Sequence, residues 1–473
     1  MPPAPPRFSA AVPREAVPEG VPAPVDESAL DPSVRTWLAG LEAATREGPQ
    51  EGESWLALGD GMLAHGESAA AAVAYQGAFA WLPADHPQLE RAGYLRAIAL
   101  EDSGASEEAI DILSSLAEGS VTSQVHWRLA LLRSANGDFD PAIAAAQRAV
   151  ELAADDPQPQ AALAQIASEY GAWEIAEQAA RAGLRANPRS GHLYGILAAA
   201  LRARGDAADA ETYAGAGRSS RADWLDPWLA NLRELRRGSG AASERFYEAL
   251  RRQDLAAANH ALEVYAEAVG DPASPRLALM RAQLGFARGD LVTLEPLLVN
   301  AESEESLRCD AAAVRAMVAA RLVATEADVE PIVASLANLD CEGDQNATRW
   351  ELISKFRLAQ RRWAEAAEAV ITADRARDAG VGAAMRSAAV AMRQARAFAP
   401  ALQVVLRLRE VEPLAPDVHL LHATIALGSG DVAAARAAAA QLAELAPNAP
   451  ATQQVLRAIE QATRSPSGGS PAR

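Results

Sequence analysis

Lysine is almost absent from this chain of 473 residues, which contains only Lys355. Nearly all positive charge is therefore on arginine, whose guanidinium neither forms Schiff bases nor acts as a general base, so amine chemistry has one candidate residue. The 44 basic and 62 acidic residues give a formal net charge of −18. Such a charge disfavours nonspecific binding to nucleic acid or anionic lipid, and we expect no nucleic-acid partner.

Cysteine is equally scarce, with Cys309 and Cys341 as the only two. Two cysteines are too few for a disulfide scaffold, and both lie within helical patterns. We therefore expect two buried free thiols, which behave as small apolar side chains.

Long apolar runs are missing as well. No stretch of 18 apolar residues is free of charged or helix-breaking residues, and residues 1–30 have prolines where a signal peptide has its apolar segment. The sequence predicts a cytoplasmic protein without membrane insertion. A start further upstream would make it periplasmic or envelope-associated, because a Pro-rich leader is typical of the spacer after a signal or lipid anchor.

Catalytic motifs are also lacking. The chain has neither a Gly-rich phosphate loop ending in Lys-Ser or Lys-Thr nor a Gly-x-Ser-x-Gly sequence. His419 and His422 lie three residues apart on one helix face, a spacing that holds a metal only when further ligands arrive. We expect no enzyme, cofactor or metal site, and keep a helical-toroid enzyme with these histidines as a minor alternative.

Alanine dominates what is present. The chain has 114 alanines, about 24%, while aromatic residues make up only 5%. Alanine has the highest helix propensity, whereas strands favour β-branched and aromatic residues. The composition predicts an all-α protein.

A repeat of about 34 residues runs through this helical sequence. A Gly between two apolar-periodic segments is followed five residues later by Ala, and the successive Gly spacings are 38, 33, 34 and 34. The pairs are Gly66/Ala71, Gly104/Ala109, Gly137/Ala142, Gly171/Ala176 and Gly205/Ala210. A fixed period containing two helix-length segments indicates a helical solenoid.

The first repeat also places large, small and helix-breaking residues in a recognisable order, namely Trp55, Leu58, Gly59, Met62, Ala71, Tyr75, Ala78 and Pro83. This pattern resembles the tetratricopeptide repeat family. The resemblance implies a right-handed α-solenoid, here of about eleven antiparallel helix pairs. It covers residues 52–224 and 347–449, and Arg361 and Arg396 replace the turn glycine in two of the later repeats.

The resulting domain organisation has seven parts. It comprises a Pro-rich leader (1–30), a lead-in helix capped by Asp31 (31–51), five regular repeats (52–224), degenerate helix pairs (225–346), three further repeats (347–449), a capping helix (450–463) and a Gly/Ser-rich tail (464–473). The run of residues 236–240, Arg-Arg-Gly-Ser-Gly, is expected to form a joint between pairs.

The resemblance implies that the first helix of each pair lines a concave groove, through positions one, four, eight and eleven past the repeat start. The predicted partner-binding residues are Leu56, Asp60, Leu63, Tyr94, Ile98, Glu101, Trp127, Leu131, Ser134, Gln165, Glu169, His192 and Arg202. Apolar and aromatic anchors with a few polar groups suit a peptide or a partner helix. We expect a non-catalytic scaffold or adaptor, or alternatively a subunit that recruits substrates to a separately encoded enzyme or a secretion or envelope assembly.

Overall fold

The computed structural model describes residues 18–24, 30–217, 224, 226–322, 329–377 and 380–464. The chain forms two compact units, Met1–Ala179 with Asp223–Pro272 and Ala180–Ala222 with Ala273–Arg473. Most of the leader and of the tail lies outside the described residues. Within the described ranges, no helix is both long and apolar enough to cross a membrane.

The described residues form twenty-five α-helices and one short 3-10 helix, Glu305–Leu307. The α-helices are α1 Pro32–Glu47, α2 Gly52–Ala64, α3 Ser68–Trp81, α4 Leu89–Asp102, α5 Ser106–Ala117, α6 Ser123–Ala135, α7 Phe139–Leu152, α8 Pro157–Tyr170, α9 Trp173–Ala186, α10 Gly191–Ala203, α11 Ala207–Ala214, α12 Pro227–Leu235, α13 Gly238–Arg251, α14 Leu255–Val269, α15 Pro275–Arg288, α16 Glu295–Glu302, α17 Arg308–Leu322, α18 Val329–Ala337, α19 Gly343–Ala359, α20 Trp363–Ala376, α21 Gly382–Gln394, α22 Phe398–Val411, α23 Pro416–Ser429, α24 Val432–Leu445 and α25 Pro450–Arg464.

Eleven successive helix pairs account for this all-α architecture, with α1, α12 and α25 outside the pairs. The tight turns within the pairs need a left-handed residue, and Gly137, between α6 and α7, has φ of 87°. Arg361 and Arg396 take the same conformation, with φ of 57° and 60°. The expectation that these arginines occupy the glycine position of the turn is confirmed.

Close packing within the first pair is made possible by two glycines. A Cβ on Gly59 would lie 2.8 Å from the ring of Tyr75, and a Cβ on Gly77 would lie 2.3 Å from the indole of Trp55. Both rings are buried. The sequence predicted the small Gly59 and the large Trp55 and Tyr75, but not that Gly77 is the partner of Trp55.

Helix starts follow local capping chemistry. The Asp31 carboxylate accepts a hydrogen bond from the backbone N–H of Ser33 at 2.9 Å, with Pro32 in the first turn. The expected N-cap of the lead-in helix is confirmed.

The expected joint at residues 236–240 is wrong in extent. Gly238 already begins α13, so only Arg236 and Arg237 lie between α12 and α13. The sequence reading had also missed α12 itself. This helix has a clear start signal, because Asp226 accepts hydrogen bonds from the backbone N–H groups of Trp228 and Leu229 and Pro227 follows it.

The expectation of two free thiols is also wrong. Cys309 and Cys341 form a disulfide, with their Cα atoms 6.1 Å apart. The two residues are 32 positions apart, close to one repeat period. Cys309 lies at the start of α17, and Cys341 lies in the loop between α18 and α19. The pairing depends on this tertiary register and not on the local helical pattern.

Candidate interaction grooves

Eleven of the thirteen predicted groove residues belong to the first unit, and the apolar ones are mostly covered. Leu56, Tyr94, Ile98 and Trp127 are buried, each at most 5% exposed. Leu63 and Leu131 are half-buried.

The polar members of this set pair with neighbouring side chains. Asp60 accepts a hydrogen bond from the Tyr75 hydroxyl at 2.8 Å and forms an ion pair with Arg91 at 3.0 Å. Burial raises the pKa of the Asp60 carboxyl even though Arg91 and Tyr75 oppose that effect. Glu101 pairs with Arg128 at 2.6 Å, and burial likewise raises the pKa of Glu101.

Farther along the inner face, Glu169 accepts hydrogen bonds from the Ser134 hydroxyl and the Gln165 amide, both at 2.9 Å. These three residues lie on α6 and α8, two successive first helices. The structure therefore brings them together as a small polar cluster.

A segment of the same chain lies against the aromatic residues of this face. The Trp224 ring stacks on Trp127, with centroids 5.4 Å apart and planes 17° apart. The Trp228 ring packs edge-on against Tyr94 at 4.8 Å. We call residues 224 and 226–235 the inner segment.

The carboxylate of Asp226 lies between these aromatic contacts. Tyr94 donates its hydroxyl hydrogen to Asp226, which is 6% exposed. Burial and the adjacent Asp226 raise the pKa of the Tyr94 hydroxyl well above its ordinary value, so the hydroxyl remains a donor. Asp226 thus caps α12 and binds the groove at the same time.

The last two predicted groove residues, His192 and Arg202, belong to the second unit and lie on α10. His192 is half-buried and Arg202 is exposed.

The second unit contains an open groove that the sequence-based residue set did not include. A cavity of about 710 Å³ lies along α21, α23 and α25. It is lined by Arg386, Val390, Arg393, Asp417, Leu420, Leu421, Thr424, Leu427, Gly428, Ala451, Gln454, Val455 and Ala458. We call this surface the C-terminal groove.

The same spacing rule could have found this groove. Counted from the starts of α21, α23 and α25, positions four and eight give Arg386 and Val390, Leu420 and Thr424, and Gln454 and Ala458. All six line the cavity. The predicted residue set covered only the first five repeats.

The two arginines of the C-terminal groove differ in their partners. Arg386 forms ion pairs with Glu412 and Asp417. Burial alone would lower the pKa of the Arg386 guanidinium, but its hydrogen bonds to these two carboxylates raise it. Arg393 hydrogen-bonds Thr424 at 3.4 Å and has no carboxylate within ion-pair distance among the described side chains. Arg393 is therefore the available cation of the groove.

The His419 and His422 pair lies on α23 with both rings buried. His419 Nε2 lies 2.7 Å from the Pro413 carbonyl, and Arg409 lies 3.3 Å from His422 Nδ1. Burial, together with Arg409, lowers the pKa of His422 to about 4. In the part of the chain that the structure describes, no group of three potential metal ligands occurs.

Together, the paired helices and their left-handed turns define a helical repeat protein of tetratricopeptide-like fold. The chain is similar to the crystal structure of MamA, with 19% identity over 33% of this chain and 90% of that chain and a TM-score of 0.31. It is also similar to YrrB, described as a TPR protein with an unusual peptide-binding site, with 16% identity over 37% of this chain and 90% of that chain and a TM-score of 0.32. Yeast Tom70 is similar as well, with 12% identity over 80% of this chain and 96% of that chain and a TM-score of 0.29. No protein-family model and no curated protein matches the sequence. The description of the fold rests on the helix pairs themselves.

Proposed function

We propose that this protein is a non-catalytic interaction scaffold or adaptor that binds a peptide or helix of a partner protein on the inner faces of its repeats. The open C-terminal groove carries this proposal. Its volume of about 710 Å³ is in the range of pockets that enclose a bound ligand segment, and its lining is mainly apolar with a few polar groups.

The lining indicates the chemistry of the partner. Val390, Leu420 and Leu427 offer an apolar strip to the nonpolar face of an amphipathic helix. Arg393 lies beside this strip without an ion-pair partner among the described residues and would attract a carboxylate. We therefore propose an amphipathic helix that carries an acidic residue next to its apolar face.

The alternative of an enzyme with a His419/His422 site has less support. Both imidazoles are buried, and one ring nitrogen of each lies next to a protein group. In addition, no group of three potential metal ligands occurs among the described residues.

The disulfide favours one of the two predicted locations. Disulfides persist in oxidising compartments and are rare where thiols are kept reduced. The Cys309–Cys341 bond supports a periplasmic or envelope-associated protein, and with it the recruiting subunit of an envelope assembly. Alkylation of free thiols in intact cells, followed by mass measurement, tests this location, because a cytoplasmic protein would be alkylated at both cysteines.

Site-specific photo-crosslinking tests the binding groove. A photo-crosslinking amino acid in place of Leu420 should form an adduct with one partner protein in native cells. The matched control is position 406, because Leu406 is also apolar but is 46% exposed on α22, the second helix of its pair.

Charge reversal sharpens this experiment. Arg393→Glu should abolish the adduct at position 420 while circular dichroism shows an unchanged helical signal. Equal adducts at positions 420 and 406, or adducts that persist in the Arg393→Glu variant, would contradict the proposed groove.

A further inference from the structure

The inner segment packs α12 against α2 and α4, and it contacts Tyr94 and Trp127 through side chains at its start. Apart from Leu232, which is buried, most of α12 is exposed, including Ala230, Asn231 and Leu235. The groove contacts are concentrated at the start of the segment, in two tryptophans on either side of Asp226.

The two tryptophans of the inner segment contact residues that the sequence predicts to bind a partner. Tyr94 and Trp127 occupy the position four residues past the starts of two successive repeats, which the sequence predicts to face the groove. Trp224, Asp226 and Trp228 are spaced two residues apart, so one short stretch contacts both groove residues. Aromatic anchors around a buried polar group are typical of the centre of a binding interface.

The chain just after the inner segment is fixed to Asp31 and to α1 of the same unit. The Ser239 backbone N–H donates to the Asp31 carboxylate at 3.2 Å, and the Arg237 guanidinium lies 4.5 Å from the centroid of the Trp37 ring. A tethered ligand of this kind competes with a free one at an effective concentration of the order of millimolar.

We propose that the inner segment is an internal ligand of the first unit, and that its groove binds a partner peptide with the same chemistry: two aromatic side chains flanking an acidic one at two-residue spacing. The partner displaces residues 224–235 and takes over the hydrogen bond from the Tyr94 hydroxyl. This inference rests on the proposed interaction function and extends it to a second groove. The peptide assay below does not depend on the crosslinking experiment, so the two can fail separately.

The test uses the full-length chain and a fluorescent synthetic peptide with the sequence of residues 222–236. The triple variant Trp224→Ala/Asp226→Ala/Trp228→Ala frees the groove and should bind this peptide at least about tenfold more tightly than the wild type, because the tethered competitor is lost. Adding Tyr94→Phe to this variant should weaken binding by about tenfold, the effect of one hydrogen bond to a charged group. Leu235→Ala, an exposed position on the same helix, should bind like the wild type.

Three results would overturn the proposal. The first is a folded triple variant that does not bind the peptide at about 1 mM, the effective concentration expected of the tethered segment. The second is equal binding of a control peptide in which the two tryptophans and the aspartate are alanine. The third is a wild-type chain that is dimeric when the triple variant is monomeric, which would make a second copy the ligand.

A measurement on the unmodified chain applies even if the triple variant does not fold. Excess peptide should speed amide hydrogen exchange in α12 of the wild type, because a helix of nine residues is too short to stay helical once it is released from the groove. Unchanged exchange in α12 under saturating peptide would show that the segment is a fixed part of the fold and would also overturn the proposal.

Discussion

Gly77→Ala is expected to destabilise the first unit, although alanine is the better helix former. An ideal Cβ at this position would lie 2.3 Å from Cδ2 and Cε3 of Trp55. Carbon atoms in contact are separated by about 3.5–4.0 Å, so the indole would have to move by more than about 1 Å. Trp55 is 2% exposed and its indole N–H donates to the Pro49 carbonyl at 2.9 Å, so it has little room to move.

The expected change follows from three contributions. Overpacking costs about 1–3 kcal/mol, and loss of the hydrogen bond to Pro49 costs about 1 kcal/mol. Replacing glycine by alanine inside a helix gains about 1 kcal/mol. The net loss for Gly77→Ala is therefore about 2 kcal/mol.

Gly40→Ala is the matched control. Gly40 lies inside α1, is exposed, and would place its Cβ more than 4 Å from any other group. Only the helix propensity changes, so this variant should gain about 1 kcal/mol. The same substitution at two helix positions of the first unit should thus give effects of opposite sign.

Urea unfolding followed by far-UV circular dichroism measures both variants, and hydrogen exchange in α2 and α3 localises the effect. In a Trp55→Leu background both costs of Gly77→Ala should disappear and only the helix-propensity gain of about 1 kcal/mol should remain. A double-mutant cycle should therefore report a coupling of about 3 kcal/mol. Equal stability of Gly77→Ala and Gly40→Ala would refute the assignment of Trp55 and Gly77 as a close-packed pair.

Three further predictions concern charge and covalent structure. Arg91→Ala should lower the free energy of unfolding by about 2 kcal/mol at neutral pH, because it leaves Asp60 without its ion pair. The loss should shrink as acid protonates the Asp60 carboxyl, whose pKa is raised, and urea titrations at two pH values check this. Cys309→Ser/Cys341→Ser should lower the free energy of unfolding by about 3–4 kcal/mol, because the cross-link spans 32 residues, and reductant should change the wild type but not the variant. The pKa of His422 is about 4 in the folded protein and about 6.5 in the unfolded chain. Its contribution to stability is therefore complete above pH 6.5 and is lost as the pH falls to 4, by about 3 kcal/mol in all. His422→Gln should lack this part of the acid destabilisation.

Features fixed by local pattern were predictable from the sequence. The helix pairs follow from the apolar periodicity, and the left-handed turns follow from glycine spacing, including the two positions where Arg361 and Arg396 replace glycine. The Asp31 cap follows from the Asp-Pro start of α1. Each of these features depends on residues only a few positions apart.

Features that depend on distant residues were not predictable in the same way. The disulfide joins residues one repeat apart, and the Tyr94–Asp226 hydrogen bond joins residues 132 positions apart. Helical periodicity predicts that Tyr94 faces inwards, but the path of the chain decides what lies against it. For this reason α12 and its role in the groove were missed although Asp226 and Pro227 are a clear helix start.

The two grooves show what the register of a repeat can establish about function. The repeat register predicts that inner positions of successive first helices form a continuous surface on which a ligand can bind. In the first unit Tyr94 and Trp127 contact the chain's own tryptophans, whereas in the second Val390 and Leu420 line an open cavity. Under the two proposals, a partner of the second unit needs only to match its groove, whereas a partner of the first unit must also bind more tightly than the tethered inner segment. Affinity at the first groove is for that reason expected to rise when the inner segment is weakened, and affinity at the C-terminal groove is expected to stay unchanged by the same substitutions.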